Sequence, residues 1–299
     1  VIKKTIFFKK VIWYSALIIC VVLHATFLNA GESNDYVQYF DSGKINWTKG
    51  VLLSKGSSSC TDKDKINGDI DTWVLEAAIQ KGRRNLLKTI YKVRIDSNTL
   101  VEEIVSSNLD IRDEILSMVK KAPVIQQKSF GDGTIEVTLE MDMFFAFSQL
   151  ILPEEITQIA TIKHVLNENR RFTEETGSDS NQTMIPLENT GLVVMATGLN
   201  VLPSMAPKIL DENGEQVYGS TFASRNFAVQ YGMSAYFRDF SEQLNNQRVG
   251  KNPLVVRGVR TGGTGFSDIV ISNADSSKIR SSSINLSFLK KCRVVIVLE

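Results

Sequence analysis

The chain has 299 residues, 43% of them hydrophobic and 22% charged, which is too apolar for disorder and long enough for about two domains. Its formal charge of +1 hides an asymmetry. Lys3, Lys4, Lys9 and Lys10 stand unopposed in the first thirty residues, and the remaining 30 basic residues face 33 acidic ones, a mildly acidic body that gives no reason to expect nucleic-acid binding.

Residues 1–30 read as a signal peptide or membrane anchor. Four lysines precede the apolar run Val11–Leu28, which leads into Asn29-Ala30-Gly31, with small Ala30 just before the expected cut. The same run is long enough to cross a bilayer uncleaved. Either reading places the rest of the chain outside the cytoplasm, in the periplasm or outer envelope. Cys20 falls in this segment, leaving Cys60 and Cys292. In an oxidising compartment these two could pair, but nothing in the sequence brings them together.

The next elements are the clearest. A strand is expected near Ile45–Ser54. Asp71 then suits the N-cap of a helix whose face is Leu75, Ile79, Gly82, Leu86 and Ile90, at helical spacing. Gly82 costs about 1 kcal/mol against alanine in such a helix, so a close backbone approach is expected there. Glu76, Gln80, Arg83, Arg84 and Lys88 form the opposite face; a solvated surface is the simpler reading of the arginines than an anion site.

Thr99 and Glu102 have capping-box spacing ahead of Val101, Ile104, Ile111, Ile115 and Met118, with a break expected at Ser106-Ser107-Asn108 and a stop at Pro123. A strand over Val124–Phe130 follows, then Gly131-Asp132-Gly133, which suits a tight hairpin. In the return strand Ile135, Val137, Leu139 and Met141 alternate with Glu136, Thr138, Glu140 and Asp142, so one face is apolar and the other wet. The carboxylates of Glu136, Glu140 and Asp142 line up on the wet face without a histidine or cysteine beside them, and solvation accounts for them better than metal binding.

The run Ile45-Asn46-Trp47-Thr48-Lys49-Gly50, with Arg84-Asn85-Leu86-Leu87, Val93-Arg94-Ile95-Asp96 and the hairpin Asp132-Gly133-Thr134-Ile135-Glu136-Val137, resembles the twenty-kilodalton membrane-associated lipoprotein family. A related module occurs in flagellar assembly protein T of bacterial envelopes. The resemblance covers residues 40–150. It implies a bacterial cell-envelope protein that binds other envelope components, and it carries no catalytic motif. The family's lipidation pattern, a cysteine directly after a small residue, is not met at Cys20, which follows Leu17-Ile18-Ile19.

Further along, Pro153-Glu154-Glu155 is expected to open a short helix, and the polar, aperiodic stretch 167–186 is the expected linker. Residues 187–299 read as a C-terminal α/β domain. Leu192–Met195 is a short buried strand, and Lys208-Ile209-Leu210 with Gln216-Val217-Tyr218 flank the turn Asp211-Glu212-Asn213-Gly214. Phe222, Phe227, Tyr231, Tyr236, Phe240 and Leu244 suggest a helical region divided at Gly232-Met233-Ser234. Leu254–Val259 and Asp268–Ile271 are strands joined by the glycine-rich segment Arg260–Phe266. That segment lacks the ending of a phosphate loop and runs into a strand, so it reads as a mobile hairpin loop. Ser272–Asp275 opens a helical region with Ile279 and Leu286 inward, and Val294–Leu298 suits a central strand. The segment Gly191–Glu299 resembles a companion of the lipoprotein module in envelope proteins.

The fold expected is therefore α+β: two small domains after the export signal, each a short, mostly antiparallel sheet packed by helices. No catalytic, cofactor-binding or metal-ligating residues stand out, and no cofactor is expected. Past the export signal His164 is the single histidine, and no Gly-x-Ser-x-Gly elbow accompanies it. Trp47 and Trp73 both fit core positions. The function expected is a non-enzymatic envelope protein with an assembly, scaffold or adaptor role, flagellum- or outer-membrane-associated. Its partners are other envelope proteins, with membrane association through residues 11–28 and self-association left open. The alternatives are a secreted hydrolase with an unrecognised site and a cell-wall glycan-binding module.

Overall fold

A computed structural model describes residues 34–59, 70–156, 188–239 and 248–299. The expected export signal, Cys60, His164, the stretch 167–186, Phe240 and Leu244 lie outside these residues. Among the described residues no helix is long and apolar enough to cross a membrane. Asp35–Glu299 form one compact unit with an α+β fold built on two sheets.

The first sheet contains β1 (Val37–Phe40), β2 (Gly43–Asn46), β3 (Val51–Ser59), β4 (Val124–Ser129) and β5 (Thr134–Asp142) in the order β1-β2-β3-β5-β4. Every pairing in it is antiparallel. The strand expected near Ile45–Ser54 is in fact the hairpin β2–β3, turned at Gly50, whose φ is +68°. Helix α1 (Ile70–Tyr91) packs on one sheet face, where Leu52, Val137, Leu139, Ala78, Leu86 and Ile90 are buried together. Its helix starts at Ile70, so Asp71 lies inside the first turn. The close approach expected at Gly82 is present: Gly56 of β3 lies against it, with the Gly56 amide nitrogen 3.5 Å from the position of an added Gly82 Cβ.

Helices α2 (Val101–Ser107) and α3 (Leu109–Lys121) divide at Asn108, whose side-chain oxygen accepts from the N–H groups of Asp110 and Ile111. This is the break expected at Ser106–Asn108, with Asn108 as the cap of the second helix. The Thr99 capping box does not form. The Asp96 carboxylate takes the Thr99 N–H at 2.9 Å, and α2 starts after Leu100 with no side-chain cap. Helix α4 (Ala146–Ile151) precedes Pro153, residues 154–155 form a turn, and the helix expected to open there would continue past residue 156, outside the described residues.

The second sheet contains β6 (Leu192–Met195), β7 (Ile209–Leu210), β8 (Gln216–Tyr218), β9 (Ala235–Phe237), β10 (Leu254–Gly262), β11 (Asp268–Ile271) and β12 (Val294–Val297), in the order β8-β7-β11-β10-β6-β12-β9. It departs from the mostly antiparallel expectation. The pairings β10–β6, β12–β6, β12–β9 and β11–β7 are parallel, and only β10–β11 and β7–β8 are antiparallel. The reason lies in the side chains. Leu192–Val194 and Val294–Val297 are buried on both faces, alternate residues feeding two separate apolar clusters, which is how a covered parallel strand reads.

Two helical expectations also change here. Gly232, at φ +74°, ends α5 (Arg225–Tyr231), and Tyr236 beyond it lies in strand β9. Ser282 caps α7 (Ser283–Lys290) separately from α6 (Asn273–Arg280), whose own cap is Ser272. The new start resets the helical phase, so Asn285, Phe288 and Leu289 are buried while Leu286 is exposed.

One contiguous core runs through both sheets, from Ile45 and Leu52 to Val294 and Ile296. Specific bonds reinforce it. Trp47 stands edge-on to Tyr236 at 5.8 Å between ring centroids, the Thr48 hydroxyl donates to the Tyr236 carbonyl, and Arg225 donates to the carbonyls of Pro153 and Gln149, each at 2.9 Å. A chain nicked within 167–186 is therefore expected to elute as one particle in size-exclusion chromatography and to separate only in denaturant. Separation under native conditions would contradict a shared core.

Candidate functional site

The most distinctive exposed feature is strand β4. It occupies one end of the first sheet, paired among the described residues to β5 alone, and all six of its residues are exposed. The local sequence explains the position. Pro123 ends the helical region and opens the strand, and the Gly131-Asp132-Gly133 turn closes it. Gly133 takes φ +82°, the Asp132 carboxylate accepts from the Thr134 N–H at 2.9 Å, and the Phe130 N–H donates to the Thr134 carbonyl at 2.8 Å. The Thr134 hydrogen bonds hold the Asp132 carboxyl below its ordinary range.

Two grooves flank this strand. One, of about 440 Å³, is lined by Tyr39, Lys44, Lys55, Ile125, Gln126 and Thr138 among others, with Asn85 of α1 at its rim. The other, of about 250 Å³, lies between the start of α1 and the hairpin, lined by Thr72, Leu75, Gln127, Ser129, Phe130 and Ile135. A bulge between Val124 and Gln126 shifts the register with β5. Lys128 is exposed on the strand and Lys120 and Lys121 at the end of α3 before it, whereas Glu136 one strand inward is paired with Lys55 at 2.9 Å.

The other residues singled out in the sequence are dispersed. Glu136, Glu140 and Asp142 lie along β5, and among the described residues no three His, Cys, Asp or Glu side chains gather into a metal-binding group. Arg83 lies 3.9 Å from Glu76 on the outer side of α1. Trp47 is buried, but Trp73 is 79% exposed, against the expectation of a core position. The buried stripe of α1 is Val74, Ala78, Gly82 and Leu86, one residue out of phase with Trp73. Cys292 is buried as a free thiol, and burial pushes its pKa up to about 11, leaving it unreactive as a nucleophile.

The glycine-rich loop is a packed joint. The Thr264 hydroxyl donates to Asn98 at 2.7 Å, and the Ser267 N–H donates to the Ser97 hydroxyl at 3.3 Å. A Cβ at Gly263 would meet the Ser97 side chain, and one at Gly265 the Ser97 carbonyl. These glycines serve a close approach to the 96–99 loop, so the mobile-loop reading is corrected.

Sequence reasoning missed a half-buried arginine and a buried carboxylate. Arg248 donates to the carbonyls of Cys292, Tyr231 and Gly232, fastening the end of α5 to the turn before β12. Asp268 is 6% exposed and has one carboxylate oxygen without a partner. Burial pushes its carboxyl above the ordinary range, opposed by a hydrogen bond from Ser97 and the charge of Lys208. A raised native pKa means the folded state holds the proton more tightly, so this group's contribution falls as pH rises from the unfolded value through the native one. Asp268→Asn should remove that slope from denaturation midpoints measured between about pH 4 and pH 7; an unchanged slope would contradict the assignment.

By architecture this is an α+β protein whose two sheets share one core. Residues 191–299 match the family model for the second domain of Treponema pallidum Tp0624. The whole seven-stranded sheet lies inside that match, and the first sheet with β4 lies outside it. No curated protein matches the chain.

Proposed function

We propose that this chain is an exported bacterial cell-envelope protein without catalytic activity, with an assembly, scaffold or adaptor role exerted through protein contact at β4. The observation that carries the reading is the strand itself: a sheet edge with free backbone groups is a template for another strand. The likeness of residues 40–150 to the twenty-kilodalton lipoprotein family and to a module of flagellar assembly protein T supports the same reading. The match of residues 191–299 to a domain from a bacterium agrees with the proposed source.

Site-specific photo-crosslinking in cells tests it. A photoreactive residue at Gln127 should yield a discrete adduct with an envelope protein, while one at exposed Leu116 on α3 should not. Recovery of the chain in the cytosol, or equal adducts at both positions, would refute the reading. Exposure of Trp73 favours a second one, a glycan-binding module in which the indole stacks on a sugar ring. On that reading Trp73→Ala loses binding to isolated cell-wall sacculi and leaves the Gln127 adduct unchanged.

A further inference from the structure

We propose, building on the contact function just given, that β4 receives an extended partner strand of apolar–acidic–apolar pattern, with its acidic side chain opposite Lys128.

The hydrogen-bond phase of the hairpin sets the geometry. The Phe130 N–H bonds inward to Thr134, and in an antiparallel ladder inward and outward residues alternate. Lys128, paired with Glu136, and Gln126, paired with Thr138, therefore direct their backbone groups to β5. Gln127 and Ser129 direct theirs to the open side, offering two donors and two acceptors to an incoming strand.

Charge then selects the occupant. Lys120, Lys121 and Lys128 form no ion pair among the described residues, and Lys55 already holds Glu136. Asp132 sits at the far tip of the hairpin, and Glu140 is half-buried on β5. A second copy of this chain fits poorly. Pairing Gln127 of each copy with Ser129 of the other would use all the outward groups but set the two Lys128 side chains directly opposite, which is destabilising. Shifting to a Gln127–Gln127 centre would place Ser129 against the bulge at Ile125. A partner strand with a carboxylate opposite Lys128 avoids both penalties.

The grooves supply the remaining pattern. A residue opposite Lys128 lies on the face away from α1, so its two neighbours turn toward α1. There the groove has a mixed lining, and within it Leu75, Phe130 and Ile135 offer an apolar side chain contact beside Thr72, Gln127 and Ser129.

The test uses two capped, fluorescein-labelled peptides, Thr-Val-Glu-Val-Thr and Thr-Val-Lys-Val-Thr, titrated to millimolar concentration against the full chain by fluorescence anisotropy. The glutamate peptide should bind about fivefold tighter than the lysine peptide. Lys128→Glu should reverse that preference. Ser129→Pro should abolish binding of both while leaving the circular dichroism spectrum unchanged, since it removes an outward donor and spares the β5 ladder. Equal binding of the two peptides, or no saturable binding, overturns the proposal. So does dimerisation of the chain that Ser129→Pro abolishes. None of these results bears on the Gln127 adduct, so the contact function stands or falls separately.

Discussion

Adding one methyl group at Gly56 should destabilise the protein by about 3 kcal/mol or more, read as a shift of the urea midpoint followed by circular dichroism. Gly56 lies on β3 where α1 crosses closest. A Cβ there would overlap the Ala78 carbonyl oxygen and the Gly82 amide nitrogen, both backbone atoms of a helix that cannot yield locally. Gly82→Ala is the informative contrast. Its new Cβ meets the Cδ1 of Leu139, the end of a side chain that can rotate, and alanine recovers about 1 kcal/mol of helix propensity. A small net effect is expected. Equal, large losses at both positions would mean that the helix axis, rather than the Leu139 rotamer, has to move in each case.

Val137→Asp should cost several kcal/mol and leave little folded protein at room temperature. Val137 is fully buried in the core against α1, between Gly56 of β3 and Gln127 of β4. Alternation alone suggests that Thr138→Asp, one residue along, is silent. The structure corrects this, because Thr138 is only 8% exposed. Its cross-strand neighbour is Lys55, which can face the carboxylate, so a loss of about 1 kcal/mol is expected. Thermal melts of the two variants decide the register. Comparable damage from both would place the wrong face against α1.

The first sheet was legible because its signals are local. Ile135, Val137, Leu139 and Met141 alternate cleanly, the Gly131-Asp132-Gly133 turn lies next to them, and Gly82 announced the close approach by its cost in a helix. Its partner Gly56 carried no such signal within the serine-rich run where it sits. The second sheet was less legible, because its parallel order depends on contacts between distant segments. Leu192–Met195 looked like a buried strand, but nothing in those four residues says that Val294–Val297 and Leu254–Arg257 lie beside it. The glycine-rich loop misled for the same reason: glycines needed for approach to Ser97 resemble glycines that give freedom. For the candidate site, the edge position of Val124–Phe130 remained open in the sequence alongside pairing on both sides. Proline at Gln126 or Lys128 would break the β5 ladder, and the observed hydrogen-bond phase places a tolerated proline at Gln127 or Ser129.

The bonds between the two sheets also constrain when the molecule can become native. Thr48 and the Tyr236 carbonyl it reaches are 188 residues apart, and Asp35 bridges to Phe237 across a similar span. Synthesis proceeds from the N-terminus at about 5–20 residues per second. The first hairpin therefore waits roughly ten to forty seconds for its partner to be made, with Trp47 lacking its contact with Tyr236 meanwhile. A chain with such late contacts depends on being shielded, or kept unfolded, until its second half has emerged.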